Sequence, residues 1–234
     1  MTRVKICGIT ESVHARTALE AGADMLGFVF APSRRRIGLE AATSIIQECR
    51  AVFSPDKHGW QAVGVFANQP LGFVLEVAAF CSLDAVQLCG DEPPEFGRAA
   101  PAPLIRTLRL PSKAFRSSNG LSPLPQLAEA AMEDLRVEHG ATRLLLDSRV
   151  AGFYGGTGES FHWEGVGKGA RSCIVAGGLG PANVASAIAA MDPWGVDVSS
   201  GVERDGRKDP ELIRRFVWEV RRCKGHANRA SENC

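Results

Sequence analysis

A lysine and a thiol lie two residues apart near the N-terminus, in Val4-Lys5-Ile6-Cys7-Gly8-Ile9-Thr10, and a carboxylate follows an apolar run in Leu144-Leu145-Leu146-Asp147. In an extended chain successive side chains point to opposite faces, so Lys5 and Cys7 share one face while Val4 and Ile6 share the other. An unpaired ammonium inside a closed sheet is costly, and its presence there marks a polar, functional end of an interior. A thiolate can take a proton and a carboxyl can give one. Brought to one ligand, Cys7 and Asp147 would supply the base and the acid of a proton-transfer reaction. The ordinary alternative for Asp147 is a structural cap on the loop that follows it.

Two further runs suit an anion. Ala176-Gly177-Gly178-Leu179, with Pro181 opening a helix behind it, and Asp197-Val198-Ser199-Ser200-Gly201-Val202-Glu203 offer backbone amides of the kind that cradle a phosphate. A single Gly-Gly pair is usually a simple turn; the argument rests on both loops together. Arg34-Arg35-Arg36 supplies guanidinium groups able to grip a carboxylate bidentately, although an arginine run is commonly a solvated face. Tyr154-Gly155-Gly156-Thr157-Gly158, downstream of Asp147, has the composition of a lid closing over a ligand, or of an ordinary flexible loop. His14, His58, His139 and His226 fall on helix faces, loops or the tail and are assigned no role.

These residues need elements to hold them. Strand-like runs occur at Val4 to Cys7, Met25 to Phe30, Ala62 to Phe66, Ala85 to Leu88, Leu104 to Leu108, Arg143 to Leu146, Cys173 to Ala176 and Val196 to Val198. Helical stripes lie between them. Ala42, Ile45, Ile46 and Cys49 mark the second helix, and Val184, Ile188 and Met191 mark one opened by Pro181. Asp209-Pro210 caps the last, along which Leu212, Ile213, Phe216, Val217 and Val220 share a face. The unit after Leu146 is the weakest, because Gly152 to Gly169 is glycine-rich and only Trp163 to Val166 suggests a turn. Pro-rich stretches at Glu92 to Pro103 and Pro111 to Pro125 read as surface loops. Eight alternating units favour an α/β fold closed into a single (βα)8 TIM barrel over residues 1–224, with residues 225–234 a disordered polar tail. The first strand-helix turn lacks G-x-G-x-x-G, which weighs against an open, doubly wound sheet. In a barrel the site lies at the C-terminal strand ends, and the loops after strands seven and eight commonly hold phosphate.

Composition sets the limits. The chain has 234 residues and a formal net charge of +1, ordinary for one globular domain and too neutral for a polyanion-binding surface, so the partner is expected to be a small molecule and not nucleic acid. No apolar run reaches the roughly 20 residues needed to cross a bilayer, and the N-terminus lacks a signal sequence, so no membrane is expected and the location is read as cytoplasmic. Seven scattered cysteines without a C-x-x-C pair argue against a metal site and against disulfides.

At these residues the sequence resembles phosphoribosylanthranilate isomerases, (βα)8-barrel enzymes of tryptophan biosynthesis. The likeness runs from Lys5-Ile6-Cys7-Gly8-Ile9-Thr10 through Gly27-Phe28-Val29-Phe30, Ala85-Val86-Gln87-Leu88, Leu145-Leu146-Asp147 and Gly177-Gly178-Leu179 to Asp197-Val198-Ser199-Ser200-Gly201-Val202-Glu203. It implies a cofactor-free, metal-free isomerase, in the form of a monomer or homodimer, that performs the Amadori rearrangement of N-(5-phosphoribosyl)anthranilate to 1-(2-carboxyphenylamino)-1-deoxyribulose 5-phosphate. By the resemblance, Asp147 is the general acid and Cys7 the general base. Arg35, two residues after Ser33, holds the anthranilate; Gly177, Gly178, Ser199, Ser200 and Gly201 hold the phosphate, with Gly156 closing from the lid. Asp197 holds a sugar hydroxyl or balances Lys5. The acid calls for an apolar setting that keeps it partly protonated, and the base for a nearby positive charge that lowers the thiol, for which Lys5 is the expected source.

Three features depart from the family pattern. Arg34 and Arg36 stand where proline and an aromatic are usual. Gln87-Leu88-Cys89-Gly90 replaces Gln-Leu-His-Gly, and Gly158-Glu159-Ser160-Phe161-His162-Trp163 replaces Gly-Lys-Thr-Phe-Asp-Trp. A related phosphosugar lyase or synthase barrel would share the phosphate loops, but this sequence lacks the lysine and glutamate pair that chemistry expects at strand ends and has Cys7 with Asp147 instead. A catalytically silent phosphosugar-binding barrel is the alternative of a different class.

Overall fold

A computed structural model describes residues 1–54, 59–100, 103–111, 133, 135, 137, 139–149 and 167–223. Eight parallel strands close into a barrel in sequence order: β1 (Arg3–Cys7), β2 (Met25–Val29), β3 (Gln61–Phe66), β4 (Ala85–Leu88), β5 (Leu104–Pro111), β6 (Arg143–Arg149), β7 (Cys173–Val175) and β8 (Gly195–Val198). Helices α1 (Ser12–Glu20), α2 (Leu39–Val52), α3 (Leu71–Phe80), α4 (Pro94–Ala99), α5 (Val184–Met191) and α6 (Pro210–Arg222) are threaded between and after the strands. This is the (βα)8 TIM barrel expected from the eight apolar runs.

The strands are apolar on both faces because a parallel sheet under helices is buried twice. Their period-two alternation sorts the residues into layers. Val4, Ile6, Leu26, Phe28, Val86, Leu144, Leu146 and Val196 pack outward against the helices. Met25, Val63, Ala85, Ile105, Leu145, Ile174 and Ala176 fill the lumen, with Cys7, Val29, Ala31 and Val65 above them. The register β1–β8 sets Lys5 opposite Asp197, and the register β5–β6 sets Arg109 opposite Asp147.

The helix stripes are buried as expected: Ala42, Ile45, Ile46 and Cys49 on α2, and Ile213, Phe216, Val217 and Val220 on α6, with Leu212 partly buried beside them. Asp209 caps α6 by accepting from the Glu211 and Leu212 amides, and Pro210 opens its first turn.

Four local expectations need correction. Helix α5 begins at Val184 and not at Pro181, because the Asn183 side chain accepts from the Gly180 amide and donates to the Gly178 carbonyl, holding 181–183 as a turn. The stretch from Glu92 is not simply a surface loop. It contains α4, whose prolines sit where a helix start tolerates them, and Glu92 itself is buried against Arg106 while accepting from the Asn68 and Gly90 amides. Strands β5 and β6 run beyond Leu108 and Leu146, pairing as far as Pro111 and Arg149, so Asp147 lies within β6 and Pro111 belongs to β5. A 3₁₀ helix at Gly167–Ser172 precedes β7, while Trp163 to Val166 lies outside the described residues. So do the Tyr154-to-Gly158 segment, residues 112–125, His58 and the tail from 224 onward.

Phe216 is fully buried in the layer between sheet and helices. Phe216→Ala should lower unfolding stability by about 3–5 kcal/mol, read from the urea midpoint at constant slope.

Candidate active site

Where the strands end, a cavity of about 120 Å³ opens, and its wall includes Cys7, Asp147, Arg35, Asp197, Gly177, Gly178, Ser199 and Ser200. Residues from β1, the loop after β2, β6, the loop after β7 and β8 thus meet in one place. Gly201 stands directly behind this wall in the 3₁₀ turn Ser200–Val202; a Cβ there would lie 1.8 Å from the Leu179 carbonyl oxygen. Glycine at 201 therefore lets the loops after β7 and β8 lie side by side. Gly156 falls outside the described residues.

Lys5 is fully buried, and its Nζ donates to Asp197 Oδ1 at 2.8 Å. The same ammonium acts electrostatically on the Cys7 sulfur, two residues along the same face of β1. Gly27 makes the room for this, since a Cβ there would stand 2.9 Å from Cys7 Sγ and 3.1 Å from Lys5 Nζ. Burial alone would drive the proton off Lys5, but the Asp197 carboxylate and Cys7 outweigh it, and its pKa ends above the ordinary lysine range. The expectation of a lowered thiol is corrected. Burial dominates at Cys7 and pushes its pKa up, with Asp197 adding to the rise; Lys5 and Lys208 pull it down without cancelling the effect. Lys5 does act on the sulfur in the expected sense, and it is also the partner of Asp197.

Asp147 lies in a setting that is not purely apolar. Leu145 is beneath it on its own strand, but Arg109 is its register partner on β5, and all three line the cavity. Arg109 Nη2 donates to the Cys89 carbonyl. Cys89, at the position where the family pattern has histidine, faces the same cavity and shares contacts of 3.2 Å with Gln87 Nε2 and 3.3 Å with Thr107 Oγ1. Burial raises this thiol to about 11, so it is neutral at physiological pH and cannot carry the charge a histidine could. Gln87 Oε1 is buried without a hydrogen-bond partner among the described residues. Thr107, Arg109 and Gln87 were not singled out by type. The signal that finds them is parity, because they continue the lumen faces begun by Ile105 and Ala85.

Of the three arginines, Arg35 is the one in the cavity wall; Arg34 and Arg36 are exposed. Arg35 donates through Nε and Nη2 to the two Glu203 oxygens at 2.6 and 3.0 Å. Burial pushes the Glu203 carboxyl up, but the hydrogen bonds from Arg35 and Lys208 hold it below its usual range. Among the described residues no group of three or more His, Cys, Asp or Glu could hold a metal ion, and no helix is long and apolar enough to cross a membrane.

The Cys7 geometry makes a pH prediction. Alkylation by iodoacetamide needs the thiolate, so a raised pKa means the rate climbs with pH to a midpoint above the ordinary thiol range. Lys5→Met removes the cation that opposes burial, and the Cys7-specific midpoint should move further up. An unchanged midpoint would end the tuning role of Lys5.

Comparison with known proteins supplies the family. Residues 4–219 match the family described as N-(5'phosphoribosyl)anthranilate (PRA) isomerase. An N-(5'-phosphoribosyl)anthranilate isomerase of Moorella thermoacetica is 43% identical over 229 residues, which cover 97% of this chain and 92% of the relative. The crystal structure of phosphoribosyl anthranilate isomerase from Thermotoga maritima superposes with a TM-score of 0.75 at 35% identity, covering 94% of this chain and 99% of its own. A solved isomerase in complex with reduced 1-(o-carboxyphenylamino)-1-deoxyribulose 5-phosphate gives a TM-score of 0.71 at 35% identity, again covering 94% and 99%. With a matched span running from β1 into α6, the chain belongs to the N-(5'-phosphoribosyl)anthranilate isomerase family.

Proposed function

We propose that this chain converts N-(5-phosphoribosyl)anthranilate into 1-(2-carboxyphenylamino)-1-deoxyribulose 5-phosphate in tryptophan biosynthesis, with Asp147 as general acid and Cys7 as general base. The observation that carries the reading is the meeting of Cys7 and Asp147 in one cavity with Arg35 on one side and the two glycine- and serine-rich loops on the other. Asp147 gives its proton to the furanose ring oxygen; the C1–O bond breaks as the anthranilate nitrogen lone pair forms a C1=N iminium. The Cys7 thiolate then takes the proton from C2, and those electrons move into C1=C2 to leave an enolamine. Tautomerisation of the enolamine gives the 2-ketone. The iminium places a positive charge one bond from C2, which acidifies that C–H and favours the ionised form of a nearby thiol. Lys5 favours the thiolate at all stages.

The phosphate rests on the amides of Gly177, Gly178, Ser199, Ser200 and Gly201, with Gly156 as the lid contact the resemblance implies, and Arg35 takes the anthranilate carboxylate. Asp197 is engaged by Lys5 through Oδ1, so its main task is to balance that buried ammonium. The reaction needs no cofactor or metal. It takes place in the cytoplasm, in a monomer or a homodimer.

Loss of the aminobenzoate fluorescence of freshly made phosphoribosylanthranilate reports turnover and separates this reading from a silent phosphosugar-binding barrel. Asp147→Asn and Cys7→Ser should each lower kcat by about 10²–10⁴-fold, the scale of general acid–base catalysis. Near-normal kcat in either variant would remove that residue from its role. Arg35→Ala should chiefly raise KM, because it removes a contact made alike to substrate and transition state.

A further inference from the structure

Glu203 and Lys208 are not part of the cavity wall, yet they are densely hydrogen-bonded beside it. The Glu203 side chain is 4% exposed. Its Oε1 accepts from Arg35 Nε at 2.6 Å and from Lys208 Nζ at 2.8 Å, and its Oε2 accepts from Arg35 Nη2 at 3.0 Å and Arg34 Nη2 at 2.6 Å. Lys208, 2% exposed, spends its other protons on the Ser199 carbonyl at 2.9 Å and hydroxyl at 3.3 Å. Ser199 Oγ in turn donates to the Cys7 carbonyl at 3.1 Å. The chain reaches this arrangement through a two-strand hairpin, β9 (Glu203–Arg204) with β10 (Arg207–Lys208), in which Glu203 and Lys208 are register partners.

A guanidinium has two edges that can meet a carboxylate bidentately: the side edge, Nε with one Nη, and the end edge, Nη1 with Nη2. Glu203 occupies the side edge of Arg35. Gly8 packs directly against the arginine stem: its φ is +79° and a Cβ there would stand 2.6 Å from Arg35 Cδ. The arginine stem is therefore packed against Gly8 while its Nε and Nη2 are tethered to Glu203, and what it can offer a ligand is its Nη1 side.

We propose that Glu203, held by Lys208, is a positioning residue that fixes Arg35 so that its end edge meets the carboxylate of the substrate's aryl group, and that selectivity for a carboxylated arylamine depends on it. This rests on the reading of Arg35 as the carboxylate contact. Glu203 also reduces the local positive charge, so a purely electrostatic role makes the opposite prediction: removing it would tighten carboxylate binding. An amide at 203 can accept on one side only, and its NH₂ would face the arginine donors, which breaks the bidentate tether while nearly preserving volume.

The test measures the dissociation constants of two stable ligands, reduced 1-(o-carboxyphenylamino)-1-deoxyribulose 5-phosphate and its counterpart lacking the carboxyl group. The ratio of the two is the selectivity. Glu203→Gln should reduce that ratio about tenfold, equivalent to one decade in affinity, while the ligand without the carboxyl binds within about twofold of the wild-type value. Retained affinity for that ligand certifies that the barrel and the phosphate loops are folded. An unchanged or increased ratio in Glu203→Gln overturns the positioning role. Should Glu203→Gln fail to fold, Lys208→Met takes its place, with the same fall in ratio expected and an unchanged ratio overturning the proposal. Arg35→Ala distinguishes the two levels: if it leaves the ratio intact, the Arg35 reading itself fails, whereas a ratio lost in Arg35→Ala but kept in Glu203→Gln sinks only the role of Glu203.

Discussion

A closed parallel sheet has no edge, and every second residue of every strand must be placed inside it. That constraint decides most of this molecule. Below, the lumen is filled by Met25, Val63, Ala85, Ile105, Leu145, Ile174 and Ala176, which pack as a core and not a pore. Toward the C-terminal ends the same parity delivers Lys5, Cys7, Gln87, Thr107, Arg109, Asp147 and Asp197 to a shared interior. The chemistry is a continuation of the core by other residue types.

Polar residues in such a place must satisfy one another. Lys5 pairs with Asp197 inside the barrel; beyond its lumen Arg106 pairs with Glu92, and Arg35 and Lys208 with Glu203. Buried pairs of this kind contribute little net stability, because desolvation offsets much of their attraction, but breaking one strands a buried charge. Their value here is positional. The Lys5 pair sets an ammonium against the Cys7 sulfur, and the Glu203 group ties the loop after β2 to the loop after β8.

The thiol shows how two effects of one environment compete. Enclosure excludes water and raises Cys7, while the cation that enclosure traps beside it works in the other direction, and burial prevails. A resting neutral thiol that becomes a base only when further positive charge arrives is compatible with the proposed chemistry, where the iminium forms before C2 is deprotonated. Cys89 is more simply placed. Its sulfur meets the Gln87 amide and the Thr107 hydroxyl, which pull its pKa down, and burial outweighs them and raises it to about 11.

Much of this could be read from the chain alone. Eight apolar runs separated by helical stripes determine a barrel, since parallel strands buried on both faces and amphipathic helices have few other ways to pack; the spacing of Lys5 and Cys7, the leucines before Asp147 and the paired glycine and serine loops then identify the rim. Local sequence carries those signals because they are local in cause: strand parity, helix period, cap chemistry. What it did not carry is cross-chain. Only the folded barrel puts Lys5 opposite Asp197 and Arg109 opposite Asp147, because register depends on the closure of all eight strands. Only the hairpin after β8 brings Lys208 back beneath Ser199 and Glu203 onto Arg35, and a lysine before an N-cap has no pattern that announces it. The sign of the Cys7 shift also belongs to the tertiary structure, since charge can be counted along a sequence whereas the loss of water around a sulfur exists only once the barrel has closed over it.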